Sequence, residues 1–247
     1  MTTISVVIPV WNDARFLADA LAALSRQRRP ADEVIVVDNA STDTTASVAA
    51  AAGARVILEP VRGIWPAAAA GYDAASSTVI ARLDADSVPP DDWLLRIASA
   101  FDTHDLDAVT GPGRFYDCGR IEAFLGEKLY IGGYFWAMGG WLGHPPLFGS
   151  NFAMTRELWR AVRDAVHRTR TDVHDDLDLS LHLGTGARIR YDADLWVGVS
   201  ARPFESWDGF RRRMRWASTT LRLHYPDDSP VRRRIERRRR GLAPITR

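Results

Sequence analysis

Cysteine and lysine are almost missing from this chain. Its 247 residues include one Cys, Cys118, and one Lys, Lys128. A single cysteine excludes a disulfide framework and a zinc site built from several thiolates. The arginine that replaces lysine is spread over the whole chain and reads as genome composition. Long apolar runs are also lacking. Residues 129–155 come nearest, with no Asp, Glu, Lys or Arg, but six Gly and Pro145-Pro146 interrupt them, so no span reads as a transmembrane helix. The opening MTTISVVIPVWND has no basic region, and its apolar stretch is too short for a signal peptide. A reducing, cytoplasmic location is therefore the expectation.

Three phosphate- or acyl-handling signatures are missing as well. Without G-x-x-x-x-G-K-[ST] there is no P-loop, and without G-x-G-x-x-G after the first strand a dinucleotide fold is disfavoured. The nucleophile elbow G-x-S-x-G is missing too.

What is present is charge, unevenly placed. The formal total of +1 conceals a split, with thirteen Arg against three acids in residues 211–247 and nineteen basic against twenty-eight acidic groups in residues 1–210. A basic segment of this kind suggests an anionic partner, nucleic acid or membrane. The 46% hydrophobic content excludes wholesale disorder. For residues 129–155 two readings stand. They form a buried segment with tight turns, or an apolar acceptor surface or shallow membrane contact. Buried aromatics are common, which favours the first.

The first hundred residues alternate strand and helix signals. Strands are expected at 4–10, 34–37, 56–58 and 79–83, and helices at 14–24, 41–52, 67–75 and 89–101. The 67–75 helix consists of small residues suited to close packing. Further on, strands are expected at 108–110, 188–191 and 195–199, and helices at 156–166 and 206–223. Residues 176–183 are ambiguous, because Leu177, Leu179, Leu181 and Leu183 alternate like a strand while the acidic start suits a helix. Alternating β and α units imply an α/β fold with a mainly parallel sheet flanked by helices. Ligands of such sheets sit beyond the carboxyl ends of the strands, where Asp38 and Asp84 stand.

Arg82-Leu-Asp-Ala-Asp86 places two carboxylates one residue apart at a strand end. Such a pair can hold a divalent cation together with nucleotide phosphates, because hard cations take several oxygen ligands. An acidic turn without a ligand has the same letters, so order along the chain has to decide. Val6-Val-Ile-Pro-Val-Trp-Asn-Asp13, Val36-Val-Asp-Asn-Ala-Ser-Thr-Asp43, Leu83-Asp-Ala-Asp86, Gly149-Ser-Asn-Phe-Ala-Met154, Asp175-Asp-Leu-Asp-Leu179 and Arg212-Arg-Met-Arg-Trp216 follow one another. This ordered set resembles the family 2 inverting glycosyltransferases of the GT-A fold, over roughly residues 4–220.

The resemblance implies a role for each position. Pro9 and Val10 would border the nucleotide base, Asp13 would lie near base or ribose, and Asp38 would hydrogen-bond one of them. Asp84 and Asp86 would form the D-x-D around Mg²⁺ or Mn²⁺, with Asp86 the direct ligand. Asp176 would be the general base toward an acceptor hydroxyl, with Asp175 beside it. A carboxylate in that place suits the chemistry, since a sugar hydroxyl is a poor nucleophile until its proton is accepted. An acidic cluster at a helix N-terminus is also explained by the helix dipole. Arg212, Arg215 and Trp216 share a helix face, which would line the acceptor side or steady the diphosphate, and a solvated basic helix with one docked Trp has the same spacing.

The sequence departs from the family in places. Ala67-Ala-Ala-Ala-Gly71 stands where an Arg-Asn pair is common, with Arg62 or Arg82 as substitutes. Only Ser200 occupies the place of a late metal-binding His. Arg212 replaces a Gln, which argues against processive polymerisation.

The expected organisation is one GT-A-like domain over 1–225, with a nucleotide-sugar half (1–104) and an acceptor half (105–225), followed by a basic tail (226–247). The expected partners are a nucleotide-diphosphate sugar and a lipid-linked or cell-envelope acceptor. The expected location then includes the inner face of the cell membrane, held by the tail, and nucleic acid drops back as a partner. The alternative is a catalytically silent nucleotide-sugar-binding or scaffold protein of the same fold.

Overall fold

The computed structural model describes residues 1–202, 207–225 and 228–241. The first half alternates β1 (Ile4–Val10), α1 (Ala14–Ser25), β2 (Glu33–Asp38), α2 (Thr45–Ala51), β3 (Arg55–Leu58), α3 (Ile64–Ala74) and β4 (Val79–Leu83). After it come β5 (Ser87–Val88), α4 (Trp93–Thr103), β6 (Ala108–Thr110), β7 (Gly113–Phe115) and α5 (Arg120–Leu125). A π-helical stretch (Gly126–Ile131) leads into α6 (Gly132–Leu142), then β8 (Asn151–Thr155), α7 (Arg156–Val162) and α8 (Asp175–His182). The last elements are β9 (Ile189–Tyr191), β10 (Val197–Val199), α9 (Trp207–His224) and α10 (Pro230–Arg239). Ser206, the expected start of α9, lies outside the described residues, as do 226–227 and 242–247 of the basic segment.

Seven strands form one sheet in the order β3-β2-β1-β4-β8-β6-β9. Its left side is parallel, as expected for buried β-branched strands joined by helices. β8 breaks the pattern by running antiparallel to β4, pairing Leu83 with Asn151. That register lays residues 149–151 beside the end of β4. A second sheet, β5-β10-β7, pairs Val199 with Ser87 and so brings residues 200–202 near Asp86.

β1 is buried on both faces and feeds two cores. Val6, Ile8 and Val10 meet Leu17, Leu21, Trp93 and Leu94 of α1 and α4. Val7 faces the other way, toward Ala68 and Tyr72 of α3. Here the small residues of α3 have their reason. A Cβ on Gly71 would lie 2.3 Å from Val7 Cγ1, so the helix can approach the sheet only without a side chain there.

Three segments go beyond what the sequence reading decided. Residues 120–142 are continuously helical, with the turns confined to the stretch after Gly143, whose φ of +81° closes α6 in the left-handed region. They are not buried throughout, since Leu129 is 72% and Trp136 67% exposed. The ambiguous 176–183 stretch is helix α8. Its Leu alternation arises because the helix packs on two sides, Leu177 and Leu181 toward Leu142, Leu179 and Leu183 toward the core that holds Trp65. The arginine run is helix α10, docked by one buried member. Arg233 donates to the carbonyls of Leu142, Leu181 and Leu183 at the ends of α6 and α8, and pairs with Asp228. A guanidinium fork suits those orphan carbonyls and the negative ends of two helix dipoles.

Candidate active site

The carboxyl ends of β1, β2 and β4 share one edge, because Val10 pairs with Asp38 and Val7 with Arg82. Asp38 is buried there, and its Oδ1 accepts the Ser41 N–H at 3.0 Å. Val10 belongs to the core and Pro9 is half-buried. Asp13 follows at the head of α1, where Arg202 donates to both of its oxygens, at 3.2 and 2.7 Å. Arg62, a suggested substitute for the missing Arg-Asn pair, stacks on the Trp11 ring at 3.6 Å, on this same edge.

Asp84 and Asp86 hang from the end of β4. Asp84 Oδ1 accepts from Arg82 Nη2 at 2.7 Å and its Oδ2 from Ser150 Oγ at 2.7 Å. Asp86 Oδ2 accepts from Arg202 Nη2 at 2.8 Å. Burial, followed by the Asp84 charge, raises the Asp86 carboxyl, and Arg202 opposes the rise. This environment fits a divalent cation. The donors are hard carboxylate oxygens, and two neighbouring, partly buried acids are relieved by a dication. Ser200, in the place of a late His, turns its hydroxyl to Asp117 at 2.5 Å instead.

Arg82 lies beneath the crevice, 1% exposed. It donates to Asp84, to Tyr72 Oη at 3.1 Å and to Asp175 Oδ2 at 2.9 Å. A buried guanidinium is tolerable only with such partners. Burial raises the Asp175 carboxyl, Arg82 opposes, and the charges of Asp176 and Asp84 add to the rise.

Asp176 heads α8 next to Asp175. Its Oδ2 accepts the Gly149 N–H at 2.8 Å and its Oδ1 the Leu177 N–H at 2.7 Å. His174 Nδ1 stands 3.5 Å from Oδ1. Burial would raise this carboxyl, but His174 and the two N–H groups outweigh it and hold Asp176 below the usual carboxylate range. His174 is raised in turn, its burial outweighed by Asp176 and Asp175. The ring of His174 meets Trp216 of α9 edge to face at 6.1 Å, and Arg212 lies over the same indole. Arg212 and Arg215 are exposed.

The D-x-D and the Asp175-Asp176 pair are therefore tied together twice. Arg82 spans Asp84 and Asp175, while the neighbours Gly149 and Ser150 hold Asp176 and Asp84. Sequence reasoning missed Arg202 and Ser150. Arg202 follows β10, the strand inspected for a histidine, and Ser150 lies inside a motif quoted only for its order.

A cavity of about 1080 Å³ opens between α6, α10 and β7. Phe135, Trp136, Trp141 and Tyr191 wall it, and Arg234 and Arg238 stand on its rim. Among the described residues, no helix is long and apolar enough to cross a membrane.

The sequence profile described as glycosyl transferase family 2 matches residues 5–162. An uncharacterized glycosyltransferase of Mycobacterium tuberculosis is 39% identical over 111 residues, 45% of this chain and 49% of the relative. The undecaprenyl-phosphate 4-deoxy-4-formamido-L-arabinose transferase of Pseudomonas fluorescens is 32% identical over 106 residues, 39% of this chain and 31% of the relative. The chain thus spans half or less of the length of these curated relatives. A solved mannosyltransferase of Pyrobaculum calidifontis, in complex with GDP-Man and Mn²⁺, superposes with a TM-score of 0.64 at 23% identity. That match covers 85% of this chain and 60% of the other and establishes the GT-A-like fold.

Proposed function

This chain belongs to glycosyl transferase family 2, and from that premise we propose that it moves a sugar, with inversion, from a nucleotide-diphosphate sugar to an acceptor hydroxyl. The observation that carries the reading is the double tie between Asp84 of the D-x-D and the Asp175-Asp176 pair. Donor-side and acceptor-side acids are held at a fixed separation across one crevice, as in-line displacement requires.

Asp38 and the Asp13 region receive the nucleoside. Asp84 and Asp86 would hold Mg²⁺ or Mn²⁺, which when bound would supply positive charge against a leaving diphosphate. Asp176, kept ionised by Gly149, Leu177 and His174, accepts the proton of the attacking hydroxyl. His174 and Trp216 place that carboxylate against the acceptor side. Arg212 and Arg215 stand on the acceptor-side helix, exposed to the incoming substrate.

The acceptor is proposed to be lipid-linked and taken at an anionic membrane surface. The apolar cavity with its arginine rim supports this, because an isoprenoid or acyl chain wants apolar walls and its phosphate wants guanidinium. The lipid-phosphate substrate in the name of the Pseudomonas relative is consistent with it.

The test is Asp176→Asn, whose amide oxygen still accepts the Gly149 N–H. Transfer from a panel of UDP-, GDP- and dTDP-sugars should fall by about 10²–10⁴-fold while donor affinity is kept. Transfer near the wild-type rate would remove Asp176 from the mechanism. Donor bound by wild-type protein with either metal, but neither transferred nor hydrolysed over hours, would support the catalytically silent alternative.

A further inference from the structure

We propose that His167, Asp178, His182 and His224 form a second cation site, selective for one divalent transition-metal ion of the zinc type and separate from the D-x-D. Three of the chain's six histidines gather there. They come from three places: the loop after α7, the last turn of α8, and the end of α9. All surround one carboxylate oxygen. Asp178 Oδ1 is 2.7 Å from His167 Nδ1, 3.0 Å from His224 Nε2 and 3.7 Å from His182 Nδ1. The rings contact one another edge to face, with centroids 4.6 to 5.4 Å apart.

The donor set is three imidazoles and one carboxylate, which suits tetrahedral zinc and disfavours Mg²⁺, a cation that prefers oxygen and water. Metal–ligand bonds of about 2.0–2.1 Å place tetrahedral donors roughly 3.3 Å apart. The imidazole-to-carboxylate separations straddle that value, and all four ligand atoms lie within 4.8 Å of one another. Charge points the same way. Asp178 is fully buried, and its ion-pair partners among the described residues are histidines only. The three imidazoles crowd against that one carboxylate and against each other. A dication neutralises the carboxylate without protonating any ring.

Metal-free and metal-bound forms are related by proton position. Without metal, the His167 and His224 nitrogens donate to Asp178, and His182 Nδ1 donates to the Asp178 carbonyl at 2.8 Å. In the bound form those nitrogens offer lone pairs and the protons reside on the other ring nitrogens. The outer oxygen is already oriented, since Asp178 Oδ2 accepts from Trp65 Nε1 at 2.8 Å and from the His167 N–H at 2.9 Å. Such support is what holds a ligating carboxylate in place. The ion would tie α9 and the α7–α8 loop to α8 two residues from Asp176. It would act as a brace, apart from the transfer chemistry.

The full chain, stripped with chelator and desalted, is titrated with Zn²⁺ alone. Expected are one equivalent bound by elemental analysis and a melting temperature raised by several degrees through mass action. Asp84→Asn/Asp86→Asn protein should keep both. His182→Asn/His224→Asn protein should lose the equivalent and the shift. Should that variant fail to fold, Co²⁺-loaded wild type gives an independent reading. Paramagnetically shifted N–H signals from three imidazoles support the site, and their absence overturns it. No zinc uptake by wild type, uptake kept in the histidine variant, or uptake lost in the D-x-D variant each overturn it as well.

Discussion

Arg202 holds Asp86. Its Nη2 lies 2.8 Å from Asp86 Oδ2 and 2.7 Å from Asp13 Oδ2, so one guanidinium neutralises the acid offered as metal ligand. A dication arriving at Asp86 competes with that charge. Arg202→Ala should tighten Mn²⁺ binding to the nucleotide-free protein a few-fold, since a half-exposed pair of this kind is worth about 1 kcal/mol at most. Calorimetric titration of Mn²⁺ decides it. An unchanged or weaker affinity would show that Arg202 does not compete for the ligand.

Arg82 answers for the geometry of both acids. Removing it strands Asp84 and Asp175 beside each other without their cation. Arg82→Met should cost about 3–5 kcal/mol of unfolding free energy. Arg82→Lys should recover part of that, because one ammonium cannot reach both carboxylates and Tyr72 as the fork does. Urea unfolding of the three proteins is the measurement, and a Met variant within 1 kcal/mol of wild type contradicts the assignment.

Arg233 is the arginine that docks α10. Arg233→Met leaves three buried carbonyls and Asp228 without their donor, with an expected loss of about 3 kcal/mol. Deleting the basic segment would thus disturb the fold as well as the charge. Arg234→Glu/Arg238→Glu is the cleaner probe of the membrane proposal, since both side chains are exposed. Each reversal near an anionic surface should forfeit about 1 kcal/mol or more. Co-sedimentation with phosphatidylglycerol vesicles should drop sharply, and equal binding would remove α10 from the argument.

His144 makes stability depend on pH. It is buried, its Nδ1–H donates to the Pro145 carbonyl at 2.9 Å, and Arg233 Nη1 faces Nε2. Burial, then the Arg233 charge, pushes the imidazole down to about 4. The unfolded chain takes up this proton near pH 6.5 and the folded one only near 4, so the unfolded state binds more protons between them. The contribution is complete above pH 6.5 and is lost as pH falls toward 4, up to about 3 kcal/mol. His182, also lowered, acts in the same sense, and His174, raised, acts in the opposite one. The difference between wild-type and His144→Gln unfolding curves isolates the His144 share. A difference independent of pH over this window would refute it.

The α/β alternation, the parallel side of the sheet and the strand-end positions of Asp38 and Asp84 were legible in the sequence, whereas Asp176 was singled out only through the family resemblance. Period and strand-end position are local signals, carried by residues a few places apart. α8 shows where such signals mislead, because a helix buried on two sides writes a strand-like alternation at Leu177, Leu179, Leu181 and Leu183. The helical course of residues 120–142 was hidden by glycines whose penalty is set locally and offset by packing on α10.

By itself, the sequence determined which carboxylates end which strands, since the hydrophobic run sets where a strand stops. Only the tertiary structure decided what each carboxylate holds. Arg82 with Asp175, Arg202 with Asp86, Gly149 with Asp176, and His167 and His224 with Asp178 are partners 11 to 116 positions apart. They meet because β8 runs antiparallel beside β4 and because β10 and α9 return to the same edge. Those are long-range pairings, and no local periodicity encodes them.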